Sequence, residues 1–109
     1  MSSVDDFENS TLVEFFGKEC PHSQKMFSLV EKLERETGLK VLKLEVWHSQ
    51  ENQLLMSQYE DIFSEASGGQ VGVPTFYNKA TGEILCGEVD YSALKEWALK
   101  EPEELSYVV

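Results

Sequence analysis

The sequence predicts an α/β fold, a three-layer α/β/α sandwich on a mixed four-stranded sheet in the minimal order β-α-β-α-β-β-α. Three observations carry that prediction. In the first two thirds of the chain, apolar runs of strand length alternate with longer stretches of helical periodicity, the pattern of a parallel crossover. A short pair of strands around a turn, followed by one more amphipathic stretch, then calls for an antiparallel addition to the same sheet. Finally, 109 residues with 41% hydrophobic content suffice for one core and are too few for two.

Met1–Ser10 is polar and acidic and reads as a tail preceding a domain of residues 11–100. Thr11–Phe16 is the first strand, where Leu12, Val13, Phe15 and Phe16 surround a single charge, Glu14, as in a strand buried on both faces. Gly17–Glu19 is a loop. Pro21 suits the first position of a helix, where its missing N–H is not needed. Met26, Leu29, Val30 and Leu33 then recur at helical spacing until Gly38 stops the helix. Val41–Val46 is the second strand, and the first strand-helix-strand unit requires a right-handed crossover. Ser49 caps a second helix whose apolar face is Leu55, Tyr59, Ile62, Phe63 and Ala66, and Gly68-Gly69 ends it. Thr75–Asn78 and Glu83–Cys86 form a hairpin around Lys79–Gly82. Asp90 or Ser92 caps a last helix carrying Tyr91, Leu94, Trp97 and Ala98, closed by Pro102. Residues 101–109 read as a second tail.

Nine Lys+Arg against twenty Asp+Glu give a net charge of −11, which argues against nucleic acid and anionic membranes as partners. No run approaches the length of a membrane span, and Met1–Ser10 has no apolar signal region, so the cytosol or an organelle interior is expected, with a monomer as the default state. Two cysteines do not make a disulfide scaffold, which leaves them open to chemistry.

Cys20-Pro21-His22-Ser23 lies where the first strand hands over to the first helix. A sulfur at a helix N-terminus meets the positive end of the dipole and unpaired N–H groups, which favour the thiolate, and a protonated His22 would act in the same sense. The flanking Lys18, Glu19 and His22 argue against burial of Cys20 as a small hydrophobe.

A strand ending in Phe15-Phe16, then Cys20-Pro21-His22-Ser23 opening a helix, then Val73-Pro74-Thr75 ahead of a strand, resembles the thioredoxin superfamily over Thr11–Ala98. The resemblance implies a cis Pro74 facing a catalytic Cys20, with Val73 offering backbone hydrogen bonds to an extended, thiol-bearing substrate and Thr75 completing that binding segment. It also aligns Glu14 with a buried acid that moves protons, and Lys43 with its companion. A carboxylate inside an apolar strand is costly unless paired, so a Glu14–Lys43 pair is expected. The sequence departs from the family at Ser23, which stands in place of the resolving cysteine and cannot attack a mixed disulfide. The expected activity is therefore monothiol thiol–disulfide exchange with a protein or glutathione, rather than dithiol reduction; Ser23 either contacts the sulfur, fills the first helical turn, or marks a deliberate Cys-to-Ser trap. No cofactor is required, and glutathione is a possible one.

Two other functions stay open. One is a redox-inert adaptor using the same groove for peptides. The other is glutathione or iron–sulfur binding of the kind found in monothiol glutaredoxins, which Pro21 disfavours because those proteins usually carry Gly there. Gly87-Glu88-Val89-Asp90 faintly resembles their glutathione-holding stretch, where Asp90 would either contact the glutathione amine or cap a helix. Glu19–Gln24 is also similar to a string in anterior-gradient proteins. Cys86, on the last strand, is either a second partner for Cys20 or a half-buried strand residue. Cys20, His22, His48 and Cys86 match no compact zinc spacing, so no metal is expected. Trp47 is expected to pack in the core, and Lys18 and Lys25 are the cations nearest Cys20 in sequence.

Overall fold

The computed structural model describes residues 3–101. Five helices and four strands follow one another as α1 (Ser3–Glu8), β1 (Leu12–Phe16), α2 (Pro21–Thr37), β2 (Val41–Glu45), α3 (Gln50–Ser57), α4 (Glu60–Ser67), β3 (Thr75–Asn78), β4 (Ile84–Cys86) and α5 (Tyr91–Leu99). The sheet order is β2-β1-β3-β4. β1 runs parallel to β2 and antiparallel to β3, and β3 runs antiparallel to β4. This is the mixed four-stranded sheet and element order that the hydrophobic pattern predicts, with one helix added in front and one divided.

Alternation along the strands sorts the core into two layers. Leu12, Val41 and Phe76 point to α2 and α5, where they meet Met26, Val30, Leu33, Leu94 and Trp97. Val13, Phe15 and Leu44 point the other way, to Phe7, Leu55, Met56 and Phe63. Period-two geometry dictates this division, since neighbouring residues of a strand face opposite sides. Trp97 links the first layer to the sheet through an edge-on contact with Phe76 at 5.5 Å and an indole hydrogen bond to the Glu83 carbonyl at 3.2 Å. Asn78, fully buried, donates to the Trp97 carbonyl at 2.9 Å.

Two expectations require correction. Residues 1–10 read as a tail in the sequence, yet Ser3–Glu8 is helical. The cause is Phe7, whose ring lies 6.3 Å from Phe15 and 5.2 Å from Tyr59, while its carbonyl accepts a hydrogen bond from the Lys79 ammonium group. A single aromatic residue among polar ones gives little periodicity, so the helix was invisible in the pattern. The second expected helix, from Ser49 to Gly68, is instead two. Tyr59 leaves the helical region at φ −113°, ψ 14°, and its ring joins Phe7, Phe63 and Tyr77. Aromatic packing at that point outweighs continuation of the helix. Ser49 and Asp90 do cap α3 and α5, accepting from the N–H groups of Asn52 and Ala93. The expected C-terminal tail lies outside the described residues except for Glu101.

Because Phe7 is 3% exposed, Phe7→Ala is expected to lower stability by about 3 kcal/mol, measured by urea denaturation. A loss below about 1 kcal/mol would mean that α1 only rests on the domain.

Candidate active site

The carboxyl end of β1 delivers the chain to a tight loop, and that loop sets Cys20 at the start of α2. The Cys20 N–H donates to the Gly17 carbonyl at 3.1 Å, and the Cys20 carbonyl accepts from Gln24 N–H at 2.9 Å, so Cys20 is the N-cap residue of the helix with Pro21 just after it. Its side chain caps nothing. The thiol instead faces the Val73 carbonyl at 3.7 Å, across a chain separation of 53 residues. The Val73–Pro74 peptide bond is cis. The structure thus brings Cys20, Val73 and Pro74 together. Contrary to the inference from its charged neighbours, Cys20 is buried, with 5% of its surface exposed. The neighbours extend outward from the loop while the sulfur turns toward Val73.

The other candidate residues have definite tasks. Ser23 is fully buried, and its oxygen accepts the Gly17 N–H at 3.2 Å, so it closes the loop that carries Cys20. Thr75, 1% exposed, donates to the Gly72 carbonyl at 2.6 Å and shapes the turn leading into Pro74. His22 is directed toward the Glu88 carboxylate, which also has Lys25 at 3.8 Å. The hydrogen bond from His22 holds the Glu88 carboxyl below its usual range despite some desolvation, with Lys25 assisting. A charge on His22 would be matched by Glu88 before it acted on the sulfur. Asp90 serves as a helix cap through its 2.8 Å bond from Ala93.

Sequence reasoning missed the second wall of the loop. Glu45, at the end of β2, accepts from the N–H groups of Lys18 at 3.0 Å, Trp47 at 3.0 Å and His48 at 2.7 Å. These bonds overcome its partial desolvation and keep the carboxyl ionised to lower pH than usual. His48 in turn meets Glu19 at 2.7 Å, and that hydrogen bond raises the pKa of the ring. Trp47 is not in the core: it is 48% exposed and lies over Gly17, where an added Cβ would fall 2.5 Å from the indole. Glycine at 17 is therefore what allows the indole to approach the loop. A carboxylate at the end of a strand was the available signal for Glu45; nothing in the spacing links Glu19 to His48 or His22 to Glu88.

Glu14 and Lys43 are register partners across β1 and β2, but contrary to expectation they form no ion pair. Lys43 Nζ lies 3.0 Å from Glu34 and 3.1 Å from the Val41 carbonyl, and Glu34 also accepts the Val41 N–H at 2.9 Å. The lysine keeps its ammonium near water, where Glu34 competes for it, while Glu14 is entirely buried and both its oxygens lack a hydrogen-bond partner among the described residues. Burial pushes the Glu14 carboxyl up to about 7; Lys43 opposes the rise and Glu34 adds to it. Cys86 pairs with Thr75 across β3 and β4, and burial raises its thiol pKa. It lines a hollow of about 320 Å³ with Ser67, Gly72 and Val73. Both cysteines are free. Among the described residues, no cluster of three His, Cys, Asp or Glu is placed to share a metal ion, and no helix is long and apolar enough to cross a membrane.

No protein-family model matches the chain, and no curated protein does. Solved structures do match. A glutaredoxin from Archaeoglobus fulgidus superposes with a TM-score of 0.63 at 16% identity, over 92% of this chain and 98% of that one. A point mutant of thioredoxin from Halobacterium salinarum gives a TM-score of 0.62 at 28% identity, over 100% of this chain and 88% of the other. A structure concerned with thiol resolving in yeast mitochondrial 1-Cys peroxiredoxin gives 0.55 at 16% identity, over 84% and 80%. With the sheet order and the connections, these place the chain in the thioredoxin-like fold.

The state of Glu14 has a measurable signature. Unfolded, the carboxyl ionises in the ordinary range; folded, it holds its proton to about 7. Below both values there is no penalty, and stability is lost as the pH rises between them. Relative to Glu14→Gln, the wild type is expected to lose about 3 kcal/mol between about pH 4 and about pH 9, read from paired denaturation curves. A pH-independent difference would refute the burial of an unpaired carboxyl.

Proposed function

We propose that this protein carries out thiol–disulfide exchange with Cys20 as its single nucleophile, acting on a protein or glutathione disulfide. The observation that carries the reading is the placement of the Cys20 thiol at the N-terminus of α2, 3.7 Å from the Val73 carbonyl, with a serine oxygen one turn on already bonded to Gly17. A sulfur in this position is held by the turn that the Cys20 N–H and the Ser23 hydroxyl close on Gly17, at the start of a helix and facing the Val73 segment.

In the first step the Cys20 thiolate attacks one sulfur of the partner disulfide. The partner's S–S bond breaks, its other sulfur departs as a thiolate that takes a proton from solvent, and Cys20 is left in a mixed disulfide. Ser23 cannot complete the cycle. An external thiol, from glutathione or the partner, must attack the partner-side sulfur, forming a new disulfide there and returning Cys20 as a thiolate. Pro21 and Ser23 shape the turn, and Val73, Pro74 and Thr75 form the facing segment. Glu14 stands two residues before the end of β1 and titrates near neutrality, the property required of a group that exchanges protons during turnover. Lys43 tempers that titration.

One observation favours a second reading, non-covalent peptide recognition: Cys20 keeps only 5% of its surface exposed, which limits the approach of a partner sulfur. Glutathione disulfide separates the two. At pH 7, intact-mass analysis is expected to find one glutathione on the wild type and on Cys86→Ala, and none on Cys20→Ala, with a rate above that of a free model thiol. A Cys20 no faster than the model thiol would sink the exchange reading in favour of the adaptor.

A further test follows from the serine. Ser23→Cys is expected to convert the site into a dithiol that loses two hydrogens on oxidation and recovers them with a reductant, whereas the wild type forms only intermolecular adducts. Formation of a Cys20–Cys86 bond in the wild type would show instead that the second cysteine resolves the first.

A further inference from the structure

The surface beside Cys20 continues past the residues so far placed in the site. Trp47 lies over the base of the Cys20 loop with half its surface open. Its neighbour Val46 lines a pocket of about 350 Å³ with Gln53, Met56, Ser57, Glu60 and Val71. Val71 also borders the hollow formed by Val73 and Cys86, so the two cavities share a wall on the segment whose carbonyl receives the Cys20 thiol. Among the described residues no hydrogen bond engages Val71 or the N–H of Gly72 or Val73, which leaves this stretch of backbone free to pair with an extended peptide. The pocket is apolar at Val46, Met56 and Val71. Its one charged member, Glu60, is exposed and takes part in none of the described ion pairs.

We propose that this pocket and the Trp47 face select a protein disulfide whose half-cystine is flanked by a large apolar side chain and by a lysine or arginine. The proposal rests on Cys20 being the exchanging thiol and names the substrate class for it. The apolar side chain enters between Val46, Met56 and Val71, where burial supplies affinity. The cation meets Glu60 at the rim, and the net charge of −11 draws cationic partners while repelling anionic ones. Glutathione disulfide carries neither feature, so its exchange at Cys20 proceeds without help from this surface. The pocket's continuity with the nucleophile's own facing segment is what distinguishes it from scattered exposed apolar groups, which need no explanation.

The test separates recognition from chemistry. Cys20→Ser protein is titrated with an acetylated, amidated Lys-Phe-Ser-Lys peptide and with a Glu-Gly-Ser-Glu control, and binding is followed by amide and indole NMR. The expected result is movement of the Val71, Gly72 and Trp47 signals, with the control at least about tenfold weaker. In the same background, Val71→Asp is expected to weaken the first peptide by about tenfold or more. Glu60→Lys, at an exposed position, is expected to shift preference toward the acidic control, and it tests the charge requirement if Val71→Asp does not fold. Equal binding of the two peptides, or shifts that avoid residues 71–73 and Trp47, would overturn the proposal even if wild-type Cys20 reacts readily with dithiodipyridine. Selective peptide binding together with an inert Cys20 would uphold the recognition surface and overturn the exchange reading.

Discussion

Burial of β1 on both faces is the constraint on which the rest of the molecule depends. It is one of the two central strands of the sheet, flanked by β2 and β3, so Leu12 enters one hydrophobic layer and Val13 and Phe15 the other. That arrangement fixes the register of its neighbours, because a slip of one residue would exchange the layers. It also fixes the point at which the chain leaves the sheet, and Gly17, Ser23 and the Cys20 N–H then lock the exit loop against α2. The same burial carries Glu14 into the core as a carboxyl without a partner, a cost the fold accommodates by holding it in its protonated form up to near neutrality.

Charge near Cys20 is organised differently from charge over the chain as a whole. The protein is strongly acidic, yet the carboxylates around the loop are matched: Glu45 by three backbone N–H groups, Glu19 by His48, and Glu88 by His22 and Lys25. These pairs tie the loop to the segment after β2 on one side and tie α2 to the segment after β4 on the other. Their value lies in position more than in energy, since exposed ion pairs contribute little to stability. Trp47 on Gly17 completes the first of these walls with an apolar face, so the approach to the thiol combines hydrogen-bonded carboxylates with open aromatic surface.

Much of the fold was legible because its signals are local. The first strand has a near-continuous apolar run, α2 has a proline at its start and a left-handed glycine at its end, and both Ser49 and Asp90 cap the helices they precede. What escaped the pattern has a common cause: one aromatic ring acting at a distance. Phe7 makes a helix of a polar segment, and Tyr59 divides what periodicity joins, because each finds partners on elements far away in sequence. The site divides the same way. Cys20 at a helix start and Val73-Pro74 before a strand could be read from the chain, whereas the Glu45 cradle and the two histidine–carboxylate pairs link residues that no spacing relates.

The sequence by itself determined the alternation of strands and helices, the placement of one thiol at a helix N-terminus, and the replacement of a second thiol by Ser23, since each follows from residue identity and short-range geometry. Only the tertiary structure decided which charges meet. Lys43 is opposite Glu14 by register, but it is bonded to Glu34 because an ammonium group keeps to the wet edge of the sheet and takes the carboxylate it finds there. Tertiary packing likewise turned Cys20 inward toward Val73 and left Trp47 half open beside it, because the position of a side chain at the surface depends on which distant segment closes over it.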